Sequence, residues 1–196
     1  MHLAQPSVDS LIQQYLPGQA SETQQEFFSR VALGGSTIVG AVTYFGNTGG
    51  EFSNVTNFEV AGLVPANYDG YLATGIQLSF DALQNIGDIQ AALQDMYYVI
   101  KVAGYDYKRG QGLELLDYVY VAQDSTAEIG TSGVALTDPH ILAGSQGAYL
   151  TLRQPIPMSP LASVRVTLNF VTDVTNLHSA STVFSFIGYL TRKVAG

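Results

Sequence analysis

Ala162-Ser-Val-Arg-Val-Thr-Leu-Asn-Phe-Val171 is the stretch that decides the fold. Val164, Val166, Leu168 and Phe170 fall on one side of an extended chain, and Ser163, Arg165, Thr167 and Asn169 on the other. Side chains alternate across a strand, so this period of two marks an antiparallel strand with one buried face. Residues 71–80 repeat the pattern, with Leu72, Ile76, Leu78 and Phe80 expected on one face and Ala73, Gln77 and Ser79 on the other. Residues 37–45 and 183–194 are apolar on both faces, which predicts that both faces are covered or that one lies in a subunit contact. Further strands are expected at 55–61, 96–103, 113–121, 128–136 and 148–153. Between them lie turn-rich pieces at 46–50, 65–70 and 154–160, and one internal helix is expected at 88–94, with Ile89, Ala92 and Leu93 facing inward. Strands without alternating helices make a sandwich or barrel. The expected fold is all-β: a single eight-stranded jelly-roll β-sandwich with a short N-terminal helix.

That helix is read at residues 7–16. Val8, Leu11, Ile12, Tyr15 and Leu16 recur at helical spacing and form one stripe. Ser7 suits the N-cap, Asp9 the first turn, and Pro17-Gly18 stops the helix. Residues 18–26 are polar and read as a linker, which divides the chain into a helical arm and linker at 1–29 and a sandwich at 30–196. Three helical turns are marginal in water, so the stripe needs a surface to lie on. That surface is the chain's own body, a neighbouring subunit or a membrane, and the five stripe residues are the candidate interface.

Asp, Glu, Lys and Arg make up only 12% of the chain, about half the usual share. Tyr and Phe, which interface centres favour, number 12 and 9. This balance points to a subunit that is packed against copies of itself or other partners. The net charge is −8 and the first basic residue is Arg30. Phosphate binding needs clustered cations, so no direct nucleic-acid binding is expected. Lys108-Arg109 and Arg192-Lys193 read as loop or strand-end charges. There is no Cys, which excludes disulfides and thiolate chemistry. Residues 1–6 have neither the basic region nor the apolar run of a signal peptide.

Catalytic chemistry finds little footing. His2, His140 and His178 offer no pair at metal-ligand spacing. Asp138-Pro139-His140 reads as a turn, and no Gly-x-Ser-x-Gly elbow exists. The glycine clusters at 46–50 and 144–147 lack the Lys-Ser/Thr ending of a phosphate loop. No enzyme and no cofactor are expected. Structural calcium is the one metal left open, since the turn aspartates Asp69, Asp106, Asp117, Asp124 and Asp138 could supply oxygens. Tyr97-Tyr98, Tyr105/Tyr107 and Tyr118/Tyr120 keep a second reading open, a carbohydrate-binding or adhesin-type module with a stacking platform.

Three stretches carry a resemblance. They are Asn54-Val-Thr-Asn57-Phe-Glu-Val-Ala-Gly62-Leu-Val-Pro65 leading into Tyr71-Leu-Ala-Thr-Gly75-Ile-Gln-Leu-Ser-Phe80-Asp81, the strand–turn–strand segment at 97–110, and the ending Phe184-Ser-Phe-Ile-Gly188-Tyr-Leu-Thr-Arg192-Lys193. Together they resemble jelly-roll capsid proteins of tailless, icosahedral, often membrane-containing bacterial viruses. The resemblance implies a shell protein whose jelly roll stands upright in trimers or capsomers. Its partners would be its own copies, other capsid proteins and an inner viral membrane; it would be assembled in the host cytoplasm and reside in the virion. Many members of that family carry two rolls in tandem, whereas one roll fills this chain.

Overall fold

The computed structural model describes residues 7–32, 38–46, 56–58, 60–80, 84–85, 92–116, 120–124, 140–144, 149–174 and 181–194. Helix α1 (Val8–Tyr15) precedes strands β1 (Gln19–Ala32), β2 (Ile38–Tyr44), β3 (Gly70–Phe80), β4 (Gln84–Asn85), β5 (Met96–Val102) and β6 (Tyr105–Gln111). A single turn, α2 (Leu113–Leu116), is followed by β7 (Tyr120–Asp124), β8 (His140–Gly144), β9 (Leu150–Met158), β10 (Val164–Val174) and β11 (Ser181–Lys193). Eight strands form two four-stranded sheets, ordered β1-β11-β3-β9 and β2-β10-β5-β6. Each step along these eight crosses from one sheet to the other, except the β5–β6 hairpin. That order is the jelly roll expected from the alternating strands. Strands β4, β8 and β7 make a small third sheet inside the long connections.

The two sheets close on a continuous run of aromatic rings. Tyr71 stacks on Phe27 at 4.1 Å, and Phe27 meets Phe58 edge-on at 5.2 Å. Phe58 then touches Phe45, Phe45 touches Phe186, Phe186 touches Phe184, and Phe184 touches Tyr44. The ring at each end carries a hydroxyl, and both hydroxyls are satisfied. Tyr71 Oη lies 2.9 Å from the Gln25 and Phe186 carbonyl oxygens, and the Tyr44 hydroxyl bonds Thr182 Oγ1. Buried polar tips need such partners.

Strand β10 alternates as expected, with Val164, Val166, Leu168 and Phe170 buried in the core. Strand β3 does not. Ile76 and Leu78 face the core together with Tyr71 and Ala73, whereas Leu72 turns outward. The cause is a β-bulge: opposite Ile187 and Gly188 stand Gly75 and Ala73, so Thr74 is an extra residue and the alternation slips by one. Gly188 makes that close approach feasible. A Cβ there would lie 2.1 Å from the Leu72 carbonyl oxygen and 2.8 Å from Ala73 Cα.

Other expectations are corrected. The polar segment 18–26, read as a linker, is the first half of β1, paired with the end of β11 from Gln19↔Lys193 onward. Residues 113–121 were expected as one strand; α2 comes first, with Leu115 buried in the core, and β7 follows. Within 55–61 the described residues form only isolated bridges, Ser29↔Thr56 and Val60↔Leu63. The turn-rich 154–160 continues β9 to Met158, through Pro155 and Pro157. Proline lacks an N–H and is tolerated because β9 is an edge strand. Of the expected internal helix, 92–94 are helical and Ala92 and Leu93 are buried; its first residues and the strand expected at 128–136 lie outside the described residues.

The two glycine environments predict different costs. Gly188→Ala forces backbone apart at the bulge and should cost about 3 kcal/mol or more. Gly104 turns the β5–β6 hairpin at φ 83° with open space around it, so Gly104→Ala should cost only the left-handed strain, about 1–2 kcal/mol. Urea unfolding midpoints of the two variants check the ranking.

Candidate functional site

Several titratable groups among the described residues are held in ion pairs and hydrogen bonds. His140 opens β8, opposite Asp124 in the ladder, while His2 and His178 lie outside the described residues. Among the described residues no three His, Asp or Glu gather as a metal site. Of the calcium candidates, Asp69 accepts the Lys193 N–H at 2.9 Å, and Asp106 accepts Arg109 Nε at 3.0 Å and pairs with Lys101 Nζ at 3.3 Å. Hydrogen bonds from Arg109 and Lys101 hold the Asp106 carboxyl below the usual range. Asp117 and Asp138 lie outside the described residues.

A second cluster sits where β5, β6 and α2 meet. Lys108 Nζ donates to Glu114 Oε2 at 2.9 Å, and the Tyr98 hydroxyl donates to the same oxygen at 3.1 Å. Burial raises the Glu114 pKa, but the bonds from Lys108 and Tyr98 outweigh it and leave the carboxyl below the usual range. The Tyr98 ring is fully buried over Gly110, where a Cβ would fall 2.5 Å from Tyr98 Cζ. Tyr98 is therefore no part of an exposed stacking platform. Tyr97, Tyr105 and Tyr107 are exposed, and side chains at 118 and 120 lie outside the described residues.

The faces of the sandwich are the next candidate functional surfaces. On the β1-β11-β3-β9 sheet, α1 lies on the outer face. Ser7 caps it by accepting the Ser10 N–H at 3.2 Å, and Gly18 turns the chain into β1 at φ 78°. Ser21 Oγ reaches Asp9 Oδ1 at 2.9 Å and Gln13 reaches the Gln19 carbonyl at 2.7 Å, so helix and strand are laced together. The stripe is buried unevenly. Ile12 and Leu16 are buried on Leu72, the residue that the β3 bulge turns outward. Val8, Leu11 and Tyr15 are only partly buried. Val8 and Leu11 wall a groove of about 480 Å³ shared with Thr74, Leu152, Pro155 and Tyr189. The helix thus packs on its own body, and Val8, Leu11 and Tyr15 pack at the margin of that contact, partly exposed. Sequence periodicity alone did not reveal this division, because the bulge that presents Leu72 has no hydrophobic signature.

Among the described residues no helix covers the outer face of the β2-β10-β5-β6 sheet. Ala41, Thr43, Arg165, Val171, Tyr97 and Lys101 on it are exposed. Its middle is uncharged: Thr43, Thr167 and Val99 stand side by side on three neighbouring strands, as do Ala41, Asn169 and Tyr97. Charge lies around it: Lys101 faces Arg165 across the β5–β10 ladder toward one end, Arg109 stands opposite Val99 on β6, and Asp95 is exposed beside Val171 at the other end. A β-sheet face depleted of charge and carrying Tyr and Arg has the composition of an interface.

Two outcomes follow. Leu72→Ala should remove about 2–5 kcal/mol and release α1 first, so helical circular dichroism is lost at lower urea than the strand signal. Burial is the leading cause that raises the pKa values of Tyr44, Tyr71 and Tyr98 above their ordinary 10.0. A raised phenol pKa stabilises the fold fully below pH 10 and loses that contribution as pH climbs further. In an alkaline titration these three tyrosinates should appear only together with unfolding, after the exposed tyrosines have ionised. No protein-family model matches the chain, and no curated protein sequence matches it.

Proposed function

We propose that this protein is a structural subunit that assembles with its own copies into a closed shell, as the capsid proteins it resembles do. The observation that carries the reading is the pair of unlike sheet faces, one clothed by α1 and one with no helix over it among the described residues and with uncharged side chains in the central rows of β2, β10 and β5, in a jelly roll with only 12% charged residues. A β-sandwich exposes two broad flanks, and the one without a covering helix, whose central rows carry Thr, Val, Asn and Tyr, is available to pack on a neighbour. Each such contact needs only about 800 Å² from each partner, and symmetry repeats it around the assembly. Trimers or larger capsomers are the expected unit. Other shell proteins are expected partners, and Val8, Leu11 and Tyr15 are placed to meet one of them or an inner membrane. The shell reading places the chain in a virion and assigns the genome to other components, in keeping with a net charge of −8. No catalytic step belongs to this role.

Light scattering on a size-separated sample tests the reading. The expected mass is that of a trimer or larger assembly, growing with protein concentration. A mass of single chains at every concentration, salt and calcium level would overturn it, and glycan binding by such a monomer would favour the sugar-binding module instead.

A further inference from the structure

We propose that the basic end of the outer β2-β10-β5-β6 face is the docking site for a second copy of this chain, which meets it with the acidic α1–β1 side in a head-to-tail contact. This rests on the reading of the chain as a self-assembling subunit and specifies which surfaces meet.

The first ground is an electrostatic fault. Arg165 and Lys101 are direct cross-strand partners on β10 and β5, and like charges placed opposite one another destabilise a sheet. Arg109 stands next on β6, opposite Val99. Among the described residues the carboxylate nearby is Asp106, already taken by Lys101 and Arg109. No carboxylate among the described residues reaches Arg165. Three of the chain's eight Lys and Arg are thus gathered around one acid in a protein of net charge −8. The rest of the molecule is correspondingly more acidic than the whole.

The second ground is a complement on the other sheet. Asp9, Glu22 and Glu26 are exposed on α1 and β1. Asp9 is met by the Ser21 hydroxyl and Glu26 by the Ser185 hydroxyl, neutral donors that leave the charge in place. Glu22 alone has a cation, Arg192 Nε at 2.7 Å.

The third ground is symmetry. A two-fold contact centred on the Lys101–Arg165–Arg109 patch would press it against its own copy, cation on cation. Joining the basic patch of one copy to the acidic patch of the next is favourable, and such a heterologous contact leaves one patch of each sign free to continue the array. Thr43, Thr167 and Val99 beside the patch have no charge to desolvate as the surfaces close.

The test uses two double variants of the full chain, Lys101→Glu with Arg165→Glu, and Glu22→Lys with Glu26→Lys. Circular dichroism and thermal melting first establish that both are folded. Wild-type assembly should weaken as sodium chloride is raised. Each variant alone should assemble at least roughly tenfold more weakly than wild type, and an equimolar mixture of the two should assemble again, because each reversed patch finds its opposite. Folded variants that assemble like wild type, or a mixture no larger than its components, would overturn the contact. Wild-type assembly indifferent to salt would overturn it too while leaving the shell reading standing. A wild type that is a single chain at every salt level would overturn both.

Discussion

Closure of the sandwich rests on the seven rings from Tyr71 to Tyr44. They come from both sheets and from the connection between them: Phe27, Tyr71, Phe184 and Phe186 from one sheet, Tyr44 from the other, and Phe45 and Phe58 from chain just outside the strands. Phe45 sits at φ 63°, a conformation that costs a non-glycine residue energy, and its N–H is held by Ser29 Oγ at 2.8 Å. Phe58 arrives with Thr56 and Asn57, whose side chains bond the β1 backbone at Phe28 and Glu26. The same few residues therefore fill the core and seal the open edge of β1. An edge strand with unpaired groups invites other strands, and side-chain cover removes the invitation.

The sequence was legible where one strand face is buried and the other wet. In β10 the alternation read from residues 162–171 is the alternation found. It misled at β3, because a bulge at Thr74 leaves no mark in the hydrophobic pattern yet inverts the facing of Leu72. The front half of β1 was invisible for a different reason. From Ala20 to Gln24 every residue is exposed, since this half runs past the core and is held by its ladder with β11 and by α1. Hydrophobic periodicity reports burial and is silent where backbone pairing alone sets the conformation. The aromatic count, too, carried two meanings at once. It signalled an interface, but a third of the rings belong to the core run.

Of the candidate surface, the helix stripe was readable and its division was not. Ile12 and Leu16 are buried on Leu72, while Val8, Leu11 and Tyr15 pack at its margin and stay partly exposed. The outer face of the β2-β10-β5-β6 sheet could not be located from residue types at all. It emerges from register, which sets Thr43, Thr167 and Val99 side by side and leaves Lys101 opposite Arg165. The assembly proposed here depends on that register, because a slip of one residue would bury the charges and expose the core.

The prolines at 155 and 157 have a bearing on how copies of this chain can associate. Two of the nine residues of the outermost strand β9 offer no amide hydrogen. A stray strand, from another copy or from a partly unfolded one, finds an incomplete ladder there and cannot be zipped on as the next rung. Association on that flank has to go through side chains, which are specific, and not through main chain, which is not. In this way the chain can be concentrated without the β9 edge seeding fibres.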